Sequence, residues 1–443
     1  MLTWYINIMK KFLAVLVVYL IFTPVCFGIE DYKQINLQQA LDIAVEKNID
    51  LKAAKLNVDI AKNNIKSANQ VQNPNFNMFY NIGTAGRSEP QQLGFSELVE
   101  IGKRGARKNL AKSKLQLEHE NLKYDKFNLK MDVREAYINL VAEKSVLDTL
   151  EQQEKLQEQL LNVVKKKVKS GKAPEIDELQ AEISLNQMKT QVNTSRIAVR
   201  NALVYFNKII NPEENSYFDT QDKIFAEENN FDELLTPNPD DIMPDFEEIK
   251  EHALEHRYDI KIAKQKIDIA EKNLKLLLHQ RIPDIEIAGG YLYQSKAQTD
   301  ERFKSGAYAG ASIVNLPVFY TFKPEIQNAK IELEQSHLNY ISTINKAIKD
   351  TDAAYAKFLT ARENLDCYEK KILTSSDKLI ETSIKSYESG KTDLTTLIVM
   401  KQSYKSIIVG YTYALAEYYN SWTNFLREVN DESFDLYEDK ESL

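Results

Sequence analysis

Apolar positions along this chain recur at two spacings, and the switch between them sets its organisation. From about Leu37 to Gln72 they step by three and four, the spacing of one helix face. Pro74 closes that stretch, because the residue before a proline is pushed towards extended geometry. Strict alternation follows, with Phe76, Met78, Tyr80 and Ile82 on one side and Asn75, Asn77 and Asn81 mostly on the other, which predicts a strand. A polar loop, Thr84 to Gln92, leads to a second strand near Leu93 to Ile101. Glu97 interrupts its apolar side, which predicts a bulge or register shift there. From about Arg104 to Ser170 there is no proline and no glycine except Gly105. Those roughly 66 residues predict a helix about 100 Å long. Gly171 suits a left-handed helix cap, and Pro174 suits the first turn of the next helix, from about Glu175 to Ile210.

The whole pattern then recurs. Ala44–Pro74 aligns without a gap on Ala253–Pro283, with 12 of 31 positions identical. The identities include Asp50/Asp259, Asp59/Asp268, Ala61/Ala270 and Pro74/Pro283, and apolar exchanges such as Leu51/Ile260 preserve the period. In the second copy, strands are expected near Ile285–Tyr293 and Ala307–Val318, Pro324 opens the long helix and Gly390 ends it. The last helix carries Leu397, Tyr404, Ile408, Tyr411, Leu415, Tyr418, Trp422 and Phe425 at coiled-coil spacing. Its earlier counterpart has Ile176, Leu179, Ile183, Leu185, Met188, Val192 and Val199. The expected organisation is a first repeat over 29–210, a proline-containing, acid-rich linker over 211–245 with little core, a second repeat over 246–430 and a tail over 431–443.

The start of the chain adds a compartment. Lys10 and Lys11 precede the apolar run Phe12 to Phe22, and polar sequence resumes after Gly28. This describes a signal peptide over 1–28, reading most naturally from Met9. The run is short for a membrane helix, although a short N-terminal anchor is the alternative. Cys26 raises lipidation, but Thr23-Pro24-Val25 is a poor setting for it. No later stretch is long and apolar enough to span a bilayer as a helix, so any membrane passage must use strands. Four strands of about ten residues can cross a bilayer but cannot close a barrel, which needs at least about eight. Copies of the chain must complete it. The expected fold is mainly α with a transmembrane β part: an oligomeric β-barrel continued by an α-helical coiled-coil barrel.

Composition changes the picture only by exclusion. A net charge of −8 leaves no basic surplus for nucleic acid. There is no Gly-rich phosphate loop, cysteine cluster or nucleophile–base arrangement, so neither an enzyme nor a cofactor is expected.

Several short stretches together carry a family resemblance. They are Leu37-Gln38-Gln39-Ala40-Leu41 with Asn48 and Leu51, Pro74, Ile101-Gly102-Lys103-Arg104-Gly105, Lys169-Ser170-Gly171-Lys172-Ala173-Pro174 with Asp177, Leu316-Pro317-Val318-Phe319, and Tyr387-Glu388-Ser389-Gly390-Lys391. In this order, and doubled, they resemble the TolC-type outer-membrane efflux proteins over nearly the whole mature chain. The resemblance implies a homotrimer whose twelve strands form one barrel in outer-membrane lipid and whose helices form a periplasmic tunnel. It implies a periplasmic adaptor and an inner-membrane pump, of the resistance-nodulation-division type, as partners. The cargo would be small solutes, drugs or metal cations, and the Ile101–Arg107 stretch is similar to the heavy-metal branch.

The resemblance also implies a periplasmic gate. Asp177 matches an acid at the closed mouth and Tyr387 a tyrosine able to hydrogen-bond it. Glu175 and Glu178, with Glu182, could add negative charge to the lumen, while Thr396 and Val399 stand where an acidic ring is otherwise placed. The turns Ser170-Gly171-Lys172 and Ser389-Gly390-Lys391 would form the tip and meet the adaptor. The bland reading of Asp177 is favourable placement at a helix N-terminus. His252 and His256, spaced to share a helix face, read as surface residues because no metal-protease pattern joins them. Tyr80, Tyr291, Tyr293, Tyr308 and Tyr320 are expected in an aromatic girdle. The alternatives to a duct are a soluble periplasmic coiled-coil adaptor and a structural coiled-coil protein.

Overall fold

The computed structural model describes residues 33–82, 88–210, 217–220, 245–293 and 305–431. The expected signal peptide, Cys26, the side chain of Tyr80, most of the linker and nearly all of the tail lie outside the described residues.

Each repeat opens with two helices where one was expected. In the first, α1 (Leu37–Lys47) and α2 (Ile49–Ala68) are separated by Asn48, which sits at φ −58°, ψ 126°. Its carboxamide explains the break. The oxygen accepts from the Leu51 amide (2.9 Å) and the nitrogen donates to the Ile209 carbonyl (3.0 Å), so the buried side chain caps α2 while gripping a distant helix end. A capping box at Asn36 and Gln39 starts α1.

Strands β2 (Asn75–Ile82) and β3 (Ser88–Val99) follow, after the three-residue β1 (Lys33–Ile35). Helix α3 then runs unbroken over Lys103–Lys169, and α4 returns over Glu175–Ile210. The second repeat has α5 (Phe246–His256), α6 (Tyr258–Gln280), β5 (Asp284–Leu292), β6 (Gly306–Val314) and α7 (Lys323–Cys367). A π-helical turn, Tyr368–Ile372, joins α7 to α8 (Leu373–Glu388), and α9 spans Leu394–Val429. Strand β6 ends short of the expected limit because Asn315 adopts φ 59° and Pro317 has no amide to donate.

The linker contributes to the core, against expectation. Its residues Phe218–Thr220 form β4, which pairs in parallel with β1. Phe218 is buried, and its amide and carbonyl both bond the Asn207 carboxamide (2.8 and 2.9 Å). Lys144 ties Asp219 from α3 at 3.0 Å.

Helices α2, α3, α6 and α7 lie side by side in that order, forming a wall below the sheet. Further along, α3 pairs with α4, and α9 packs on α7, α8 and α3. Two cores meet where the sets join. One gathers Leu37, Ala40, Tyr137, Leu140, Phe206 and Ile210; the other gathers Phe127, Met131, Ile249, Phe358, Trp422 and Phe425. Phe358 stands 5.0 Å from Trp422, ring to ring. Farther down, α3 and α4 close on Leu160, Leu161, Val164, Ala181 and Leu185, joined there by Leu394 and Leu397 of α9. Ile176, Leu179 and Ile183, expected in that seam, face outward instead. The seam runs through Ala181, Leu185, Met188 and Val192, and the three others form a neighbouring stripe left open in a single chain.

Candidate functional site

The sheet orders its strands β2-β3-β5-β6, every pair antiparallel. The two repeats therefore share one sheet, joined through β3 and β5. Cross-strand partners occupy the same face. The partners Phe76/Phe95, Met78/Leu93, Leu93/Tyr291, Glu97/Ile287, Val99/Ile285 and Ile285/Ile313 place most of the large apolar residues on one face. Phe76 and Phe95 touch at 5.2 Å and are both about 60% exposed. The opposite face is the more polar one, although Phe79, Leu98, Leu292 and Val314 lie on it. Asn77 donates to Ser96 (2.9 Å), and Gln92 donates to the Tyr308 hydroxyl (2.5 Å).

Two strand expectations change. The register shift lies between Phe79 and Tyr80, not at Glu97, which sits in regular pairing and projects from the apolar face near its helical end. Tyr308 lies on the polar face, not in the apolar girdle, with its hydroxyl over Gly94, where a Cβ would collide with it. Tyr291 and Tyr293 form an edge-on pair at 4.8 Å at the far end of the sheet. Tyr320 lies beyond β6, and its hydroxyl donates to Glu325.

The junction between sheet and helices is pinned by a buried ion pair. Lys103, the first residue of α3, donates to Asp284 of β5 at 2.6 Å, and Asn315 donates to the same carboxylate at 2.9 Å. Arg107 holds Glu100 through both guanidinium nitrogens at 2.9 Å, which raises its own pKa further.

At the opposite end the two turns are near copies. Gly171 (φ 70°) and Gly390 (φ 73°) take the left-handed cap position. Lys172 N–H reaches the Lys167 carbonyl (2.8 Å) and Lys391 N–H reaches the Ser386 carbonyl (2.9 Å), the long bond of a Schellman motif. Ser170, Gly171, Lys172, Ser389, Gly390 and Lys391 are all exposed there.

The gate candidates gather beside these turns. Lys167 sets its ammonium 4.2 Å above the Tyr387 ring. Burial, with the negative charge of Asp177 adding to it, pushes the Tyr387 phenol above its ordinary range. Asp177 and Tyr387 are thus electrostatic neighbours, but they share no hydrogen bond. Asp177 is half-buried in the first turn of α4 with Glu175 and Glu178, its amide bonded to the Pro174 carbonyl at 3.1 Å. Glu178 lies 4.0 Å from Lys165, and Glu175 is exposed. Thr396 donates its amide to Asp393 as the cap of α9, and Val399 is exposed.

The sequence reading missed Lys167. One more lysine in the run Lys165–Lys169 carries no signal of its own; only folding back α4 and α8 shows which ring it meets. Polar pairs join the two hairpins above this point: Gln180/Thr395 (3.0 Å), Gln191/Lys405 (2.7 Å) and Asn139/Asn420 (2.8 Å). His252 and His256 stack at 4.1 Å, and His252 Nε2 lies 3.7 Å from Asp431. Burial, then the neighbouring His256, holds the His252 pKa below the usual imidazole value. No group of three metal-ligating side chains occurs among the described residues.

A sheet with one strongly apolar face, one more polar face and two open edges, set on a wall of long helices, is a sector of a transmembrane barrel continued as a helical tube. The chain belongs to the outer membrane efflux protein family, whose model matches residues 40–211 and 250–407. Its fold is shared by the outer membrane channel CmeC of Campylobacter jejuni (TM-score 0.73, 17% identity, 92% of this chain and 89% of that one). It is likewise shared by CusC (TM-score 0.73, 14% identity, 90% and 93%) and by the open-state MtrE channel of Neisseria gonorrhoeae (TM-score 0.70, 18% identity, 90% and 89%). No curated protein sequence matches the chain. Members of the family are trimeric outer-membrane channels that work with periplasmic adaptors and inner-membrane pumps; they are efflux proteins, not enzymes.

Proposed function

We propose that three copies of this chain close a twelve-stranded barrel in the outer membrane and act as a passive duct for small solutes, drugs or metal cations, driven by a pump of the resistance-nodulation-division type. The observation that carries the reading is the shared sheet. Its β2 and β6 edges are open, and an unclosed edge in lipid leaves backbone groups unsatisfied. A soluble adaptor or structural rod would have no use for exposed Phe76, Met78, Phe95 and Ile287 on one face. The mature chain works as two repeats, 29–210 and 246–430. The test is the native mass of protein extracted in detergent from the outer-membrane fraction. A trimer is expected; a monomer or dimer released without detergent sinks the duct.

The tip is the proposed gate. Tyr387, under the Lys167 ammonium and within the field of the Asp177 carboxylate, links the second hairpin to the first, with Glu175 and Glu178 adding negative charge beside them. The exposed turns around Gly171 and Gly390 are the proposed adaptor contacts. Asp177→Ala combined with Tyr387→Phe should raise single-channel conductance in planar bilayers. Conductance equal to that of the unaltered channel would remove the gate from these residues.

A further inference from the structure

Charge is unevenly spread along the helical wall. Helix α6 carries five lysines to three acids, and residues 103–120 of α3 carry six cations to two acids, in a chain of net charge −8. An open groove of about 720 Å³ runs between these stretches, lined by Lys112, Lys261 and Lys264. Its two acids are already engaged. Asp268 accepts from the Ser113 hydroxyl and lies 3.2 Å from Lys272, and Glu120 lies 2.8 Å from Lys123. Lys112 and Lys264 are exposed, and among the described residues no carboxylate comes within ion-pair reach of either. The floor is fixed. Ser113 is buried, and Gln265 donates to its carbonyl (3.0 Å) and to the Gln116 carboxamide (3.3 Å). The groove therefore has surplus positive charge above a floor of amides.

The duplication keeps these cations. Lys261, Lys264 and Asp268 match Lys52, Lys55 and Asp59 of α2. Counting back from Ala136-Tyr137 and Ala354-Tyr355 sets Lys112 on Lys330 of α7. The floor has changed meanwhile, Ser113 to Ile331 and Gln265 to Leu56. Lysines that persist while the residues beneath them turn from polar to apolar do not owe their place to packing. In a trimer, α7 of one copy lies beside α2 of the next, so such grooves occur both within and between chains.

Helical geometry sets them on the outside of the tube. Lys112 precedes Tyr137 by about seven turns and shares its face of α3. Leu37 of α1 and Phe218 of β4 pack in the same cluster as Tyr137. After burial and His256, the charge of Lys261 also lowers the His252 pKa, which puts Lys261 on the side of α5. A second layer on this face lies outside a duct, since inside it would fill the lumen. Lys264 stands about 24 Å along α6 from its sheet end, and Lys112 about 14 Å along α3. Headgroup layers are only about 5–8 Å deep, so lipid phosphates are out of reach.

We propose that these grooves bind the cell wall, holding an extended glycopeptide with its peptide carboxylates on Lys112, Lys261 and Lys264 and its amide and hydroxyl groups on Gln116 and Gln265. The inference rests on the duct reading above. A tube hanging from the outer membrane passes through the periplasmic wall, whose peptides carry carboxylates on a fixed polymer. Cations repeated around the outer circumference suit a ligand that surrounds the tube, not a solute that passes along it.

The test is fluorescence anisotropy of labelled disaccharide-peptide fragments of cell wall, titrated with the full-length trimer in detergent at several salt concentrations. Lys112→Gln with Lys264→Gln is compared with Lys114→Gln with Lys266→Gln, which removes equal charge from the opposite faces of the same two helices. The groove pair should weaken binding about tenfold and flatten its salt dependence, while the control pair should stay within about twofold. Equal losses in the two pairs, a larger loss in the control pair, or no binding by the unaltered trimer overturns the proposal. Binding of polyglutamate without binding of wall fragments also overturns it and reassigns the groove to an acidic protein segment. The native mass separates the two readings: a trimer that ignores wall fragments leaves the duct standing, whereas a chain that forms no trimer removes the duct and the outward grooves together.

Discussion

The two helical hairpins, α3/α4 and α7–α8/α9, descend from one pattern and differ most in the middle. At the tip they match bond for bond around Gly171 and Gly390. Twenty residues past each glycine the match ends. The first hairpin has Gln191 and Val192 there, with Val192 buried against Val146, Leu150 and Met188. The second has Gly410 and Tyr411. The Tyr368 hydroxyl occupies the space a side chain at 410 would need, and Tyr411 bonds Glu369 at 3.2 Å. It is there that the partner helix relaxes into its π turn. An added residue per turn leaves the ladder locally weaker, and such turns mark places where a helix can change course. The same duplication thus yields one unbroken helix and one with a built-in irregularity, and the difference lies in seam residues, not in the turns.

The helix breaks differ too. Asn48 caps the first with a neutral amide, whereas Arg257 holds the second by charge, to Asp259 (2.7 Å) and Glu428 (2.5 Å) with little exposure. Removing the arginine strands two partly buried carboxylates. Arg257→Met should therefore cost about 3 kcal/mol in denaturant unfolding of the detergent-solubilised protein, against about 1 kcal/mol for Asn48→Ala. Equal costs would mean that the charged clasp adds nothing.

Gly410→Ala should push against Tyr368 and cost about 2 kcal/mol, while Gln191→Ala, at the corresponding place, should stay within about 0.5 kcal/mol. Hydrogen exchange across 366–374 reports it: faster exchange is expected for Gly410→Ala alone. The tips should respond alike, Gly171→Ala and Gly390→Ala each losing about 1 kcal/mol because alanine is strained at positive φ. A large inequality would break the claim that the turns are equivalent.

The smallest effect is with pH. Burial pushes Tyr411 and Tyr419 up to about 12, Glu369 adding to the first and Tyr418 to the second. Each phenol holds its proton more tightly folded than unfolded, where it titrates near 10.0. Their contribution is complete below pH about 10 and fades as pH rises towards about 12. Phenolate absorbance should show a late-titrating fraction that Tyr411→Phe and Tyr419→Phe each reduce.

Much of this was legible in the sequence because it depends on local rules. Periodicity located the long helices and the alternating strands, and glycine and proline placed the tips. The break at Asn48 carries a local signal: an asparagine followed two residues later by Asp50 is a helix start. Arg257 has no such signature, and its role is visible only once α9 lies beside it. The π turn depends on what Gly410 leaves open on another helix. Ile176, Leu179 and Ile183 obey the same period as the true seam, and only the packing of α3 tells the two stripes apart. The gate pair rested on resemblance, and Lys167 was hidden in a run of identical charges.

The β3/β5 pairing has a further consequence. Each repeat owns two adjacent strands, so half a chain could build the same barrel only as a ring of six. Joining the halves covalently turns six equal contacts into three fixed within chains and three made on assembly. The ring keeps a near-sixfold outline with threefold chemistry, and any feature carried by one half, such as the π turn, appears at alternate positions around the tube.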